Sequence, residues 1–145
     1  MDLEARRLQL ESAGLTVLQS AWSGPAPTPM EAWRVIIGGA AKPTARVRVQ
    51  DDGRHLREVQ EKWEEIAEIS GLFGEHGEFL LSVAGVGSVA APWAHVQRTP
   101  NMTLAEQLAP AKGEPEFVAM SEDGRVVCGI TTEEYDVWIV AERLI

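Results

Sequence analysis

Two β-rich segments near the end of the chain are joined by Glu122-Asp123-Gly124, and this pattern limits the fold more than any other in the sequence. An Asp-Gly pair between apolar runs is typical of a tight hairpin, because both residues adopt the backbone angles of such turns. The sequence therefore predicts strands over residues 116–121 and 125–131 that pair antiparallel. A sheet with antiparallel pairing follows from this prediction.

The segment after this hairpin favours another strand. Residues 135–141 include the consecutive run Val137-Trp138-Ile139-Val140, in which β-branched side chains dominate. Thr131 and Glu134 stand at capping-box spacing, so a helix over the same residues is the alternative. We choose the strand because the hairpin needs a neighbouring strand to form a sheet.

Local patterns predict most of the first half of the chain. An apolar stripe surrounded by glutamates predicts a helix over Arg54–Ser70, and an apolar run predicts a central strand over Phe79–Ala84. A short helix is expected over Asp2–Ala13 and a strand over Leu15–Trp22. The segment Ser23–Pro29 contains alternating prolines, which disfavour helix and sheet and predict a rigid surface loop.

A second hairpin is predicted between Trp33–Ile37 and Ala45–Gln50. Apolar and polar residues alternate over Ala45–Gln50, which is the pattern of a half-buried strand. Gly38, Gly39 and Pro43 supply residues typical of the turn. Residues 85–100 are predicted to be irregular, and Thr103 with Glu106 predicts a short helix that ends at Pro110.

These elements predict an α+β fold. Consecutive strands with few helices indicate a mainly antiparallel sheet of about six to seven strands, with two or three helices packed on one face. The chain has 145 residues, the size of one ordinary domain. We therefore expect residues 1–145 to form a single globular domain.

Charge is unevenly distributed in a chain whose formal net charge is −9. Residues 51–80 hold nine acidic and three basic side chains, and residues 114–145 hold eight acidic and two basic ones. This balance argues against a nucleic-acid partner and favours a basic protein partner. The expected acidic partner surface comprises Glu58, Glu61, Glu64, Glu65, Glu68, Glu133, Glu134 and Asp136.

Cysteine content and hydropathy favour a cytoplasmic protein. Cys128 is the only cysteine, so the chain cannot form an intramolecular disulfide. The first eleven residues lack the apolar core of a signal peptide. The longest uncharged run, Phe79–Ala94, is shorter than the roughly 20 apolar residues that cross a bilayer, so no membrane contact is expected.

No catalytic, metal or cofactor motif is convincing in this sequence. Gly85-Val86-Gly87 opens a match to the dinucleotide fingerprint, but Pro92 prevents the helix that would bind the phosphates. The three histidines are too far apart along the chain for a structural zinc site. Cys128 alternates in phase with apolar neighbours and is expected in the core. We therefore expect no catalytic residue, no metal and no cofactor.

The candidate binding residues are aromatic and basic. Trp22 and Trp93 lie beside proline-bearing loops, where packing within the loop is the alternative to a binding role. On the predicted hairpin, the three arginines form a basic patch that is either a solvated face or an anion site, and His95 with Arg98 lies in the irregular segment. The three hairpin arginines are Arg34, Arg46 and Arg48.

Three classes of function follow from these features. The first is a non-catalytic protein-binding domain, such as an immunity, inhibitor or adaptor protein for a basic partner. The second is a small-molecule-binding domain or small enzyme that uses residues 85–100 with His95 and Arg98. The third is a regulatory subunit that assembles as a homo-oligomer, with a homodimer as its simplest form.

Overall fold

The computed structural model contains one antiparallel sheet, whose strands differ in length, with helices packed on both faces. The structure describes residues 1–38, 40–85 and 87–144, and within them the sheet has seven strands. The strands are β1 Thr16–Gln19, β2 Ala45–Arg48, β3 Glu78–Val83, β4 Ala94–Gln97, β5 Phe117–Met120, β6 Val126–Thr132 and β7 Asp136–Arg143. Their order across the sheet is β1-β4-β3-β5-β6-β7-β2. The helices in the same residues are α1 Leu3–Ser12, α2 Pro29–Ile37, α3 His55–Ser70 and α4 Leu104–Gln107, and a 3₁₀ turn covers Ser88–Ala90.

The predicted α+β fold and its C-terminal hairpin are confirmed. β5 and β6 pair antiparallel with Ala119 opposite Cys128, and β7 extends the sheet on the other side of β6. Residues 136–143 therefore form the predicted strand. The predicted central strand is also confirmed, since β3 lies between β4 and β5.

Two hydrophobic clusters cover the two faces of the sheet. On one face, α3 packs Val59, Trp63 and Ala67 against side chains that include Phe79 and Phe117, and α1 and α4 contribute to the same cluster. On the opposite face, α2 packs Trp33 and Ile36 in a smaller cluster. Three helices thus share one face, as predicted, and a fourth helix covers the other.

The predicted hairpin between residues 33–37 and 45–50 is wrong. Residues 33–37 belong to α2, which begins at Pro29 after Thr28, whose Oγ1 accepts a hydrogen bond from the Glu31 N–H at 3.2 Å. Pro29 is the first helical residue, where the missing N–H of proline costs nothing. The strand over 45–48 is real, but its partner is β7. Gly39 of the predicted turn lies outside the described residues.

Residues 85–100 are more regular than predicted. Ala94–Gln97 form β4, which pairs with both β1 and β3 and buries Ala94 and Val96. Four residues are too few for their alternation to stand out in the sequence. Val86 of the glycine-rich segment lies outside the described residues, and a 3₁₀ turn of three residues, not an α-helix, follows Gly87.

Candidate functional site

An open apolar groove of about 520 Å³ lies beside the N-terminal end of α2. One wall is the loop between β1 and α2, and the other is the segment before β4. The groove is lined by Trp22, Ser23, Gly24, Ala26, Pro27, Thr28, Pro29, Met30, Val89, Ala90, Ala91, Pro92 and Trp93. Both tryptophans predicted as binding residues therefore belong to one site.

The two tryptophans are fixed by hydrogen bonds between the groove walls. The Trp22 backbone N–H donates to the Trp93 carbonyl at 2.8 Å, and Trp93 Nε1 donates to the Pro27 carbonyl at 2.8 Å. Gly24 lies directly on the Trp22 indole, because a Cβ at residue 24 would stand 2.3 Å from Cζ2 of that ring. The groove is thus largely formed before any ligand binds.

Arg6 of α1 connects the two walls of the groove through hydrogen bonds to backbone carbonyls. Its side chain is buried, with the residue 3% exposed, and its guanidinium donates to the Ser20 carbonyl at 2.5 Å and the Pro92 carbonyl at 2.7 Å. Within residues 1–38, 40–85 and 87–144, no carboxylate oxygen lies within 4.0 Å of this group. Burial accordingly lowers the pKa of Arg6 from its usual value. A buried cation that binds only carbonyls indicates a purely positional role.

His95 supports the Trp22 ring from the sheet. The imidazole lies 4.5 Å from the Trp22 ring, centroid to centroid, and its Nε2 is 2.7 Å from Glu122 Oε2. The His95 side chain is 13% exposed and does not line the groove. Backbone N–H groups of Glu78 and His76 hold the pKa of the neighbouring Glu78 below its usual value, and the charges of His76 and His95 lower it further.

Arg34 and Arg98 lie at separate places. Arg34 is on α2, where Nη2 is 3.5 Å from Met30 Sδ at the edge of the groove. Arg98 pairs with Glu68 at 3.1 Å and lies 4.1 Å from the centre of the Phe73 ring, on the face that carries α3. The structure therefore does not bring His95 and Arg98 into one site.

Arg46 and Arg48 lie on β2, which is an edge strand of the sheet. Their guanidinium groups are each 5.4 Å from an aromatic ring, Arg46 from Trp138 and Arg48 from Tyr135. A cleft of about 420 Å³ at this edge also contains Arg54, which is paired with Asp52, and the carboxylate of Glu58. Two arginines of the predicted patch are neighbours, and Arg34 is not among them.

Five members of the predicted acidic surface lie on α3, where their charge is partly neutralised. Arg57 lies 3.4 Å from Glu61, Arg98 pairs with Glu68, and Gln60 donates to Glu64 at 3.1 Å. Among the described residues, Glu58 and Glu65 have no cationic partner within 4.0 Å. The other predicted members, Glu133, Glu134 and Asp136, lie at the start of β7 and in the turn before it.

Cys128 and His55 are both buried. Burial raises the pKa of the Cys128 thiol to about 12, so the thiol stays protonated at neutral pH. The buried His55 ring has a polar neighbour at each nitrogen. Its Nδ1 accepts from the Gln50 N–H at 3.0 Å, and its Nε2 lies 2.7 Å from the Gly113 carbonyl. In the described part of the chain, no group of three or more His, Cys, Asp or Glu side chains is arranged to hold a metal ion.

Sequence reasoning missed several residues of the groove. Arg6 stands four residues before Leu10 and seven before Ala13, so it occupies the apolar stripe of α1, and this spacing marks it as a buried arginine. Met30 was not identified as a groove residue because the helix that contains it, α2, was not predicted. Val89 enters the groove through a 3₁₀ turn that no periodic pattern indicates.

Comparison of the chain with protein-family models, with curated proteins and with solved structures found no match. Its function must therefore be inferred from the site itself. None of the helices formed by residues 1–38, 40–85 and 87–144 has the length and apolar character needed to cross a membrane.

Proposed function

We propose that this chain is a non-catalytic protein-binding domain whose groove receives an apolar segment of a basic partner protein. The observation that carries the proposal is the meeting of half-buried Trp22 with buried Trp93, 71 positions apart in the sequence, beneath one open apolar surface. An immunity, inhibitor or adaptor protein for a basic partner is the form of binding domain that we favour.

The side chains of the groove suit protein recognition. Met30 is 40% exposed and Val89 is 41% exposed, although both are apolar. Tryptophan contributes large contact area at low entropic cost, and aromatic side chains are enriched where binding energy is concentrated. The Arg6, Trp93 and His95 contacts already fix the walls, so a ligand would not have to order them.

Acidic residues around the groove outnumber Arg34, the cation described at its edge, and this balance supports a basic partner. Glu31 lies in the first turn of α2, next to Met30, and the turn at Glu122–Gly124 packs against the groove loop. A Cβ at Gly124 would stand 2.6 Å from Pro27 Cδ, so this acidic turn adjoins the groove. Together with the net charge of −9, these carboxylates favour lysine- and arginine-rich segments.

Selection from a random peptide library tests the proposal. Phage-displayed peptides of about 12 residues are selected on the immobilised protein at physiological salt. We expect enriched peptides that combine at least two large apolar side chains with a net positive charge. Their binding should fall at least about tenfold in a Met30→Glu/Val89→Glu variant, because two carboxylates would then face the apolar segment.

A matched control variant shows whether the loss of binding comes from the added negative charge alone. Leu8→Glu/Ile69→Glu adds the same two carboxylates at apolar side chains that are 53% and 78% exposed and lie outside the groove. The selected peptides should bind this variant as well as they bind the native chain. Enrichment that is equal on both variants, or no enrichment at all, would refute groove binding.

A further inference from the structure

The apolar surface continues along α2 beyond the groove into a second cleft of about 270 Å³. Met30, Trp33 and Ile37 follow one another at helical spacing on the side of α2 that faces Val89, and Val89 lines both cavities. The second cleft is lined by Trp33, Ile37, Ala84, Gly85, Ser88, Val89 and Glu116.

Among the described residues that line this cleft, Glu116 is the one with a charged side chain. It is half-buried, and within the described ranges no lysine, arginine or histidine nitrogen lies within 4.0 Å of it. Burial, together with the nearby carboxylates of Glu133 and Glu114, raises the pKa of Glu116 above its usual value of 4.5. A carboxylate in this setting is stabilised by any cation that enters the cleft.

We propose that this second cleft is a subsite for one lysine or arginine side chain of the bound partner. The apolar walls of Trp33, Ile37 and Val89 suit the methylene stem of such a side chain, and Glu116 receives its charged head. This inference rests on the proposed function, because it names the basic residue that follows the apolar segment in the adjoining groove.

The chemistry of the cleft selects a cation over other ligands. An anion would meet the carboxylate of Glu116 in the cleft, with the charges of Glu114 and Glu133 nearby. A purely apolar side chain would bury Glu116 further without giving it a partner, which costs free energy. A long basic side chain satisfies both the walls and the carboxylate.

Small cations test the subsite independently of any partner. The protein is titrated with n-butylguanidinium chloride and, separately, with n-butanol, which has the same stem and no charge. The reporters are NMR signals of the Trp33 indole N–H, which donates to Ser82 Oγ at 2.9 Å, and of the Val89 backbone amide. We expect the cation to half-saturate these shifts at a concentration at least about fivefold below that of the alcohol.

Two neutralising variants locate the effect. Glu116→Gln should abolish the preference for the cation, whereas Glu114→Gln, which removes the same charge from an exposed neighbour outside the cleft, should keep most of it. Equal binding of cation and alcohol to the native chain, or equal losses in the two variants, would overturn the proposal.

If peptide selection succeeds and these titrations show no preference for the cation, groove binding is supported and the subsite is refuted. If the titrations succeed and selection fails, the protein-binding function is what is refuted.

Discussion

Arg6 is the residue on which the shape of the groove depends most. Its guanidinium bridges two carbonyls that precede Trp22 and Trp93, and a planar group with several N–H donors can reach both at once. Removing the guanidinium from a buried cation also removes a desolvation cost, so the two effects oppose one another. The unpaired carbonyls should dominate, because both lie in part-buried hydrogen bonds that the variant would lose.

We expect Arg6→Lys to lower the free energy of unfolding by about 1–3 kcal/mol, since a single ammonium is a compact donor that cannot span both carbonyls. Urea denaturation measures the loss, and the indole N–H signals of Trp22 and Trp93 should shift in the same variant. Arg7→Lys is the control, because the partly exposed Arg7 pairs, within the described residues, with Glu4 and Glu11 on its own helix. A loss no greater than that of the control would show that Arg6 does not hold the groove.

The pKa of Glu116 predicts how stability depends on pH. Because its pKa is higher in the folded chain than in the unfolded one, the folded state binds more protons in the interval between the two values. The ionised group therefore destabilises the fold, and the effect appears as the pH rises through that interval. Glu116→Gln should stabilise the protein relative to the native chain at about pH 7, and this advantage should disappear below the usual value of 4.5. Thermal unfolding at both pH values measures it, and an advantage that is independent of pH would contradict the assignment.

At the scale of elements, the groove exists because α2 lies close to the sheet. α2 crosses β6 at Gly129, where a Cβ would stand 2.9 Å from Ile36 Cγ1. That distance is shorter than an ordinary contact, so any side chain at residue 129 must push the helix outward. Because α2 carries Met30 and Ile37, its height above the sheet also sets the width of both cavities.

We expect Gly129→Ala to destabilise the fold by about 1–3 kcal/mol through overpacking against Ile36. In an Ile36→Ala background the added methyl group should cost much less, because the space it needs has been cleared. The double-mutant cycle, measured by urea denaturation, gives the coupling directly. If the losses of the two single variants are additive, the close approach of α2 to β6 is not the cause of the destabilisation.

Elements marked by a periodic pattern, a capping motif or a turn motif were predicted correctly, whereas α2 and β4 were not. α3 spans sixteen residues, enough for its apolar stripe to be unmistakable, and the Asp123-Gly124 turn marked β5 and β6. α2 was mistaken for a strand because the β-branched run from Val35 to Ile37 outweighed the start given by Thr28-Pro29. Tertiary packing of Ile36 on the sheet decides in favour of the helix.

Two tryptophans of the groove were named from the sequence, but the other residues of the groove and its assembly were not. Trp22 and Trp93 were selected for their proline-rich surroundings, which are local features. Their meeting depends on the pairing of β1 with β4, in which Gln19 lies opposite His95 after a bulge. No local pattern contains such a pairing between distant segments. The same holds for Arg98, whose position on the opposite face follows from the register of β4 and the strands beside it.

At the scale of the whole molecule, the prediction of a single domain has a direct test in Cys128. The thiol is fully buried in β6, near the middle of the sheet, so a thiol reagent reaches it only when the sheet opens. If residues 1–145 unfold as one cooperative unit, the opening free energy from native-state labelling should equal the unfolding free energy from urea denaturation. A labelling value several kcal/mol lower would indicate a part of the chain that opens independently.

The charge distribution leads to a prediction about kinetics. α3 carries Glu58 and Glu65 on the face of the sheet opposite the groove, so under the proposed function these carboxylates would attract a basic partner without touching it. Long-range attraction of this kind raises the association rate and is screened by salt, whereas contacts in the groove determine the dissociation rate. Glu58→Lys/Glu65→Lys should therefore slow the association of a selected basic peptide several-fold at low salt, and leave its dissociation rate unchanged.

The groove variant should change the dissociation rate and not the association rate. One experiment therefore separates the role of the groove from the role of the α3 carboxylates. Met30→Glu/Val89→Glu should accelerate dissociation, because it removes apolar contact, and its added carboxylates should not slow the approach of a cation. Surface plasmon resonance over a range of salt concentrations measures both rates. Faster dissociation in Glu58→Lys/Glu65→Lys would mean that the peptide lies on α3, which would move the binding surface to the other face of the sheet.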